Sequence, residues 1–175
     1  QSIRQWLPNA TLIYDRFHVQ QLASKAMDEL RREEWRRLRG TDEANAIKKI
    51  RWALLRNPWN VTPKEHEKLS VLPKQNKRVY RGYLLKESLA DVYRNLYTPP
   101  WAKRRLDAWI AWAARSRLDP FKKLARTIRR CFDGVLAYFE TGYTTSIAEG
   151  KNTKARLATR QAYGFHTADA VRAMI

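Results

Sequence analysis

Cysteine is almost missing from this sequence, and Cys131 is the only one in 175 residues. A single thiol excludes internal disulfides and cysteine-rich zinc modules, and it fits a reducing compartment. A free cysteine usually packs as a small apolar residue. We therefore expect Cys131 to be buried and not to act as a nucleophile.

Long apolar runs are also missing, and no stretch reaches the length that a membrane-spanning helix needs. The opening segment, QSIRQWLPNA, lacks the pattern of a signal peptide. These two absences predict a soluble, cytoplasmic protein that has no membrane partner.

Acidic residues are about half as numerous as basic residues. The chain has 35 Lys and Arg against 17 Asp and Glu, so its net charge is +18. Self-repulsion of this size destabilises a compact state unless an anionic partner screens it. Nucleic acid is the first such partner to consider and an anionic membrane surface the second. A basic surface that only faces solvent is the alternative.

Nearly everything after residue 15 has the apolar spacing of helices, and the one predicted strand is at 11–14. The clearest start signal is Thr62-Pro63-Lys64-Glu65, because a threonine cap, a first-position proline and a glutamate can form a capping box. The chain is thus predicted to be mainly α. The predicted helices are at approximately 16–38, 42–55, 76–96, 101–115, 120–139 and 147–161, with a break at Gly164 and a last helix capped by Thr167.

Seven tryptophans in a chain of this size suggest a helical subdomain packed by large aromatic side chains. Four of them lie in amphipathic patterns, where core packing is favoured over base stacking: Trp52, Trp101, Trp109 and Trp112. Trp59 lies in a loop and is left open. Other residues predicted to face inward are Val79, Tyr83, Leu84, Ala90, Tyr93, Leu106, Ile110 and Ala113.

The helix at 120–139 separates charged from apolar residues almost completely. Its apolar face is formed by Phe121, Leu124, Ala125, Ile128, Cys131, Phe132 and Val135, and its basic face by Lys122, Lys123, Arg126, Arg129 and Arg130. The basic face is predicted to contact DNA, and a solvated surface is the alternative.

Two carboxylates have positions that allow either a structural or a catalytic role. Asp15 ends the apolar run 12–14 and precedes the first helix, so it can be an N-cap or a metal ligand. Glu149 lies in the first turn of the helix at 147–161, on one arc with Arg156 and Arg160. A glutamate at that position also interacts favourably with the helix macrodipole and needs no function.

The motif YDRFHV near the start and the motif AEGKNTKARLATRQAYGF near the end together resemble the catalytic core of DDE-type insertion-sequence transposases. The resemblance is to the ISL-three family in particular, and it covers the whole chain in order. It implies a ribonuclease H-like fold in which carboxylates hold two divalent metal ions for DNA cleavage and strand transfer. The implied cofactor is Mg²⁺ or Mn²⁺.

Carried over by motif, Asp15 matches the second catalytic aspartate and Glu149 the catalytic glutamate, and both would bind metal. Their carboxylates are then expected within about 8 Å of each other, since a two-metal cluster is about 4 Å across. His18 would orient Asp15 or lie near the metal, and a local hydrogen bond is its alternative role. Basic residues expected to contact DNA are Lys122, Lys123, Arg126, Arg129, Arg130, Lys154, Arg156 and Arg160.

The chain departs from the family pattern at Ser146 and His166, where the family has asparagine and arginine. The family's first aspartate would lie upstream of Gln1, so this chain is expected to be a C-terminal fragment of the core that is inactive alone. The expected organisation is 1–20 as the end of the core, 21–140 as a helical insertion and 141–175 as the C-terminal core helices. Aspartates at helical or capping positions, where a surface or capping role is ordinary, are Asp28, Asp91, Asp107, Asp119 and Asp133.

Three functions are compatible with these patterns. The first is a metal-dependent DNA transposase that acts as a homo-oligomer when full-length. The second is a non-enzymatic basic helical module that binds nucleic acid, and the third is a helical interaction domain with incidental charge. Only the first requires Asp15 and Glu149 to converge.

Overall fold

In the computed structural model, helix α1 (Arg16–Arg37) begins and ends as its sequence predicts. Asp15 is its N-cap, and the chain leaves the helix at Leu38. Two residues later Gly40 has a φ of +92°, a conformation that glycine adopts without steric penalty. The structure describes residues 5–57, 60–94, 98–144, 146–161 and 169, and within 146–161 it describes the side chains of 150–157 and 159.

Further helices follow in close succession. They are α2 (Asp42–Lys49), α3 (Arg51–Leu55), α4 (Pro63–Gln75), α5 (Lys77–Arg94), α6 (Pro99–Arg115), α7 (Asp119–Arg130), α8 (Phe132–Thr141) and α9 (Ser146–Gln161). The predicted capping box at α4 is confirmed, because Glu65 Oε2 accepts from the Thr62 N–H at 2.9 Å and the Glu65 N–H donates to Thr62 Oγ1 at 3.4 Å. The predicted break and helix at 164–167 lie outside the described residues.

Two predicted helices are each divided in the structure. The helix expected at 42–55 breaks at Ile50, where ψ is 6°, and the helix expected at 120–139 breaks at Cys131, where ψ is 18°. At both residues the backbone leaves the α region for one residue and then re-enters it. Cys131 is half-buried and not fully enclosed as expected.

The predicted strand at 11–14 is wrong, since no strand occurs among the described residues. A strand needs a second strand with which to form a ladder. Here the Tyr14 N–H donates instead to the carbonyl of Gly134 in the first turn of α8, at 2.9 Å. The segment is therefore an extended connection, and the ribonuclease H-like part of the fold stays a prediction.

The core forms where α1 packs against α5 and α7. Helix α6 packs against the same two helices, α5 and α7. Gly82 allows the close approach of α5, because a Cβ there would lie 2.3 Å from Leu30 Cδ2 and 3.2 Å from the Phe121 ring. The inward faces predicted for α5 and α6 are confirmed except at Tyr83, which is half-buried, and at Leu84, which is 37% exposed.

Ion pairs link α1 to its neighbours at the edge of the core. Glu34, which is 1% exposed, accepts from Arg37 at 2.9 Å and lies 2.8 Å from Nε of Arg78 on α5. Because Leu30 contacts Gly82 and Glu34 pairs with Arg78, α1 and α5 run antiparallel. This register places the N-terminus of α1 beside the C-terminal end of α5.

The chain divides into two compact units, residues 1–142 and 143–175. Helix α1 runs without interruption through residue 20, where the end of the core was expected to meet the insertion. In the described ranges no helix is both long and apolar enough to cross a bilayer.

Candidate active site

Asp15 occupies the point where the extended segment enters α1, and it is 1% exposed. Its Oδ1 accepts from the backbone N–H of His18 at 3.1 Å, which is the hydrogen bond of an N-cap. His18 Nδ1 donates to the same oxygen at 2.7 Å. The capping role of Asp15 is therefore present in the structure, and His18 holds the carboxylate in place through both its backbone and its ring.

A buried tyrosine interacts electrostatically with this carboxylate. Tyr93, near the end of α5, is 6% exposed, and its ring packs against Tyr138 and Phe139 with centroid distances of 5.6 and 5.1 Å. Burial raises the pKa of Tyr93 well above its usual range, and electrostatic interactions with Tyr138 and Asp15 add to the increase. The sequence predicted an inward-facing Tyr93, but its proximity to Asp15 depends on the antiparallel register of α1 and α5.

The segment that carries Asp15 is held against the junction of α7 and α8. A Cβ at Gly134 would lie 2.5 Å from the Leu12 carbonyl oxygen and 2.8 Å from the Tyr14 ring. A groove of about 240 Å³ beside this contact is lined by Ala10, Thr11, Leu12, Tyr14, Arg130, Cys131, Asp133 and Gly134. Two contacts thus fix the position of Asp15. The residues before it pack against Gly134, and His18 after it binds its carboxylate.

Glu149 is the fourth residue of α9, and its side chain is outside the described set. Asp15 and Glu149 belong to different compact units, 1–142 and 143–175. Their expected approach to within about 8 Å stays a prediction.

A divalent ion fits the chemistry of Asp15, because Mg²⁺ and Mn²⁺ prefer oxygen ligands. Within the described side chains no group of three or more His, Cys, Asp and Glu is placed to hold a metal. Asp15 can therefore serve as one ligand of a set that the described residues do not complete.

The carboxylate of another aspartate, Asp28, is held by ion pairs. Asp28 is 7% exposed, and it pairs with Arg31 at 2.8 Å, with Arg32, and with Arg51 on α3 at 3.6 Å. Burial alone would raise the pKa of Asp28, but the hydrogen bonds from Arg31 and Arg32 outweigh it and hold the pKa below its ordinary value. The surface or capping role expected for Asp28 is thus wrong, because its carboxylate is buried and joins α1 to α3.

The basic face predicted on α7 is present. Its apolar partners Phe121, Leu124 and Ile128 are at most 5% exposed, while Lys123, Arg126, Arg129 and Arg130 are exposed and Lys122 is half-buried. Three of these cations are paired internally, Lys122 with Asp119 at 3.1 Å, Lys123 with Glu29 at 3.1 Å and Arg129 with Asp107 at 4.0 Å.

Arg126 and Arg130 form no ion pair within the described part of the chain. Arg126 also lines a groove of about 470 Å³ between α6 and α7, whose floor includes Ala111, Ala114 and Ala125. On α9, Lys154 and Arg156 are exposed, and the side chain of Arg160 lies outside the described set.

Three of the four tryptophans assigned to the core are not buried. Only Trp109 is enclosed, at 2% exposure, and its Nε1 donates to the Leu85 carbonyl at 2.8 Å. Trp52, Trp101 and Trp112 are 61%, 53% and 37% exposed. The amphipathic pattern misplaced them because the smaller apolar residues next to them take the inward positions. Trp59 lies outside the described residues.

Comparison with known proteins identifies the class as insertion-sequence transposases. A family profile described as Transposase matches residues 1–175. The chain belongs to this family, the ISL-three family of DDE transposases. No solved structure gives a significant match.

Curated relatives agree with this assignment. The transposase for insertion sequence element IS1557 of Mycobacterium tuberculosis is 34% identical over 189 residues, and the match covers 95% of this chain and 42% of the relative. The transposase for insertion sequence element IS1001 of Bordetella parapertussis is 29% identical over 166 residues, covering 94% of this chain and 41% of the relative. The chain thus spans about two fifths of the length of these relatives.

Proposed function

We propose that this chain is part of a transposase that cuts DNA at insertion-sequence ends and transfers the cut strand, with Asp15 and Glu149 as catalytic carboxylates. The family match over residues 1–175 carries the proposal, and the position of Asp15 supports it. A cap needs only one N–H donor, yet Asp15 is almost fully buried and receives the ring nitrogen of His18 as well. This second bond orients the carboxylate more firmly than capping requires.

In this proposal Asp15 and Glu149 would hold Mg²⁺ or Mn²⁺ together with a further aspartate. Such ions, when bound, activate the attacking oxygen and stabilise the leaving oxygen of an in-line phosphodiester displacement. His18 keeps one oxygen of Asp15 engaged through Nδ1, so the orientation of the carboxylate is set before DNA arrives. Magnesium gives up its waters reluctantly, so two carboxylates without the third hold it poorly.

The basic side chains of α7 and α9 supply the proposed DNA contacts. On α7 the main proposed contacts are Arg126 and Arg130, because both side chains are exposed and neither forms an ion pair with a described acidic residue. Lys122, Lys123 and Arg129 must exchange their internal partners for phosphate, so their net contribution is smaller. On α9 the proposed contacts are Lys154, Arg156 and Arg160.

The second candidate is a basic helical module that binds nucleic acid without cutting it. It is favoured by one observation, that Asp15 already has a complete structural role as the N-cap of α1. In this alternative Asp15 and Glu149 need not approach each other, and no metal is involved.

A nicking assay on supercoiled DNA with Mg²⁺ or Mn²⁺, run beside a filter-binding titration, separates the two candidates. The proteins are this chain, a version extended upstream to include the proposed first aspartate, and the extended version with Glu149→Gln. We expect both lengths to bind DNA and only the extended, unmodified one to cut it. If the extended protein binds DNA that carries its proper terminal repeats but never cuts it, the binding module becomes the better account.

A further inference from the structure

Trp52 is a large aromatic residue that the fold places in solvent. It lies on the short helix α3, whose neighbouring residues Ala53 and Leu54 are 2% and 0% exposed and take the inward positions. Trp52 is left with 61% of its surface exposed. A tryptophan side chain is costly to leave in water, since it is among the largest apolar groups that a fold can bury.

The ring of Trp52 is held in place by an arginine that is itself tied to the core. The guanidinium carbon of Arg51 lies 4.8 Å from the ring centroid, within the range of a cation–π contact. Nε of Arg51 lies 3.6 Å from Oδ1 of Asp28, and Asp28 is buried on α1. The contacts from Asp28 to Arg51 and from Arg51 to Trp52 therefore restrain the ring, while much of its surface remains exposed to solvent.

Positively charged residues flank Trp52 in the sequence. Lys48 and Lys49 end α2 one turn before Trp52, and both are exposed. Arg56, which follows α3, is also exposed, but it pairs with Glu65 at 3.4 Å. An open aromatic ring flanked by cationic residues combines the two features with which proteins bind single-stranded nucleic acid, a stacking surface for a base and attraction for the backbone. Paired bases inside a duplex are already stacked on both sides and are not available to it.

We propose that Trp52 binds an unpaired base of single-stranded DNA by stacking, with Lys48 and Lys49 attracting the adjoining phosphates. The choice of DNA rests on the proposed function, and the base-stacking site itself goes beyond it. In a protein that separates the strands at DNA ends, this site would bind a base that is no longer paired.

Trp101 provides an internal comparison. It is 53% exposed, and Arg104 lies 5.8 Å from its ring centroid. Arg104 forms no ion pair in the described ranges, so nothing equivalent to Asp28 fixes it. Because stacking is stronger when the ring is already restrained, Trp101 is expected to contribute less than Trp52.

The test compares two labelled 15-nucleotide strands, oligo(dT) and an abasic strand that keeps the phosphates and lacks the bases. Dissociation constants are measured by fluorescence anisotropy at one salt concentration for the whole chain and for Trp52→Ala, Trp52→Phe and Trp101→Ala. Circular dichroism of each variant checks that the helices are retained. We expect the unmodified chain to bind oligo(dT) more tightly than the abasic strand.

Trp52→Ala is expected to weaken oligo(dT) binding by about 5-fold or more, the lower end of what one stacked base contributes, and to leave abasic binding unchanged. Trp52→Phe should retain part of the preference for bases, and Trp101→Ala most of it. Equal affinities of the unmodified chain for both strands would overturn the proposal, and so would a Trp52→Ala variant that weakens both alike. Neither result bears on DNA cutting by the extended protein, which tests the proposed function separately.

Discussion

The backbone N–H of Tyr14 donates to the carbonyl oxygen of Gly134 at 2.9 Å, and this bond attaches the segment before Asp15 to the first turn of α8. The contact is so close that no side chain fits at residue 134. The location of Asp15 in space is therefore determined by a residue 119 positions away in the sequence as well as by the cap of its own helix.

Gly134→Ala is expected to destabilise the chain by about 1–3 kcal/mol, the usual effect of overpacking. The added methyl group would meet a backbone oxygen, that of Leu12, which cannot move aside as a flexible side chain can. Urea denaturation followed by circular dichroism measures the change. The matched control is Gly150→Ala on α9, where the Cβ has open space, and there we expect a gain of about 0.5–1 kcal/mol from the better helix former. Equal effects of the two substitutions would contradict the close approach.

Asp28 is expected to make stability depend on pH in the acid range. Its pKa is below the ordinary value in the folded chain, so the unfolded chain binds more protons as pH falls through this range. The stabilisation is thus complete above the unfolded pKa of about 4 and is lost as pH falls through the folded pKa. Urea titrations between pH 2 and pH 6 should show a shallower acid dependence for Asp28→Asn than for the unmodified chain. Identical slopes would show that the arginines do not stabilise the charged form.

Local chemistry is what the sequence predicted well. Thr62 with Glu65 and Asp15 with the N–H of His18 are caps formed within three residues, so the pattern alone identifies them. The strand at 11–14 and the burial of Trp52 were wrong because each depends on what packs against the segment, which no short pattern contains. The same reason applies to Tyr93, whose proximity to Asp15 comes from the register between α1 and α5. The helix breaks at Ile50 and Cys131 were not predicted. The pairing of Asp28 with Arg51 was not predicted either, because it depends on packing between α1 and α3.

DNA binding through α7 is expected to depend on Arg126 and Arg130 more than on Lys122. Each phosphate contact removed should reduce the slope of log K against log salt by about 0.9. Arg126→Ala and Arg130→Ala should each show this loss, whereas Lys122→Ala should change the slope less because Asp119 already pairs with that lysine. Filter binding of a random-sequence duplex between 50 and 200 mM salt measures the slopes. The same small change for all three variants would place the basic face of α7 in solvent.

Asp15 can be tested as a cap and as a metal ligand with two substitutions, because the two roles need different properties of the side chain. Asparagine caps a helix about as well as aspartate but lacks the negative charge that a magnesium ligand supplies. Asp15→Asn should therefore leave the urea midpoint nearly unchanged, while Asp15→Ala should cost about 1 kcal/mol through the lost cap. In the upstream-extended protein, both substitutions are expected to abolish nicking of supercoiled DNA in Mg²⁺, with DNA binding retained. Nicking at the unmodified rate by Asp15→Asn would assign Asp15 to the cap alone, because a catalytic carboxylate cannot be replaced by an amide that keeps only its shape.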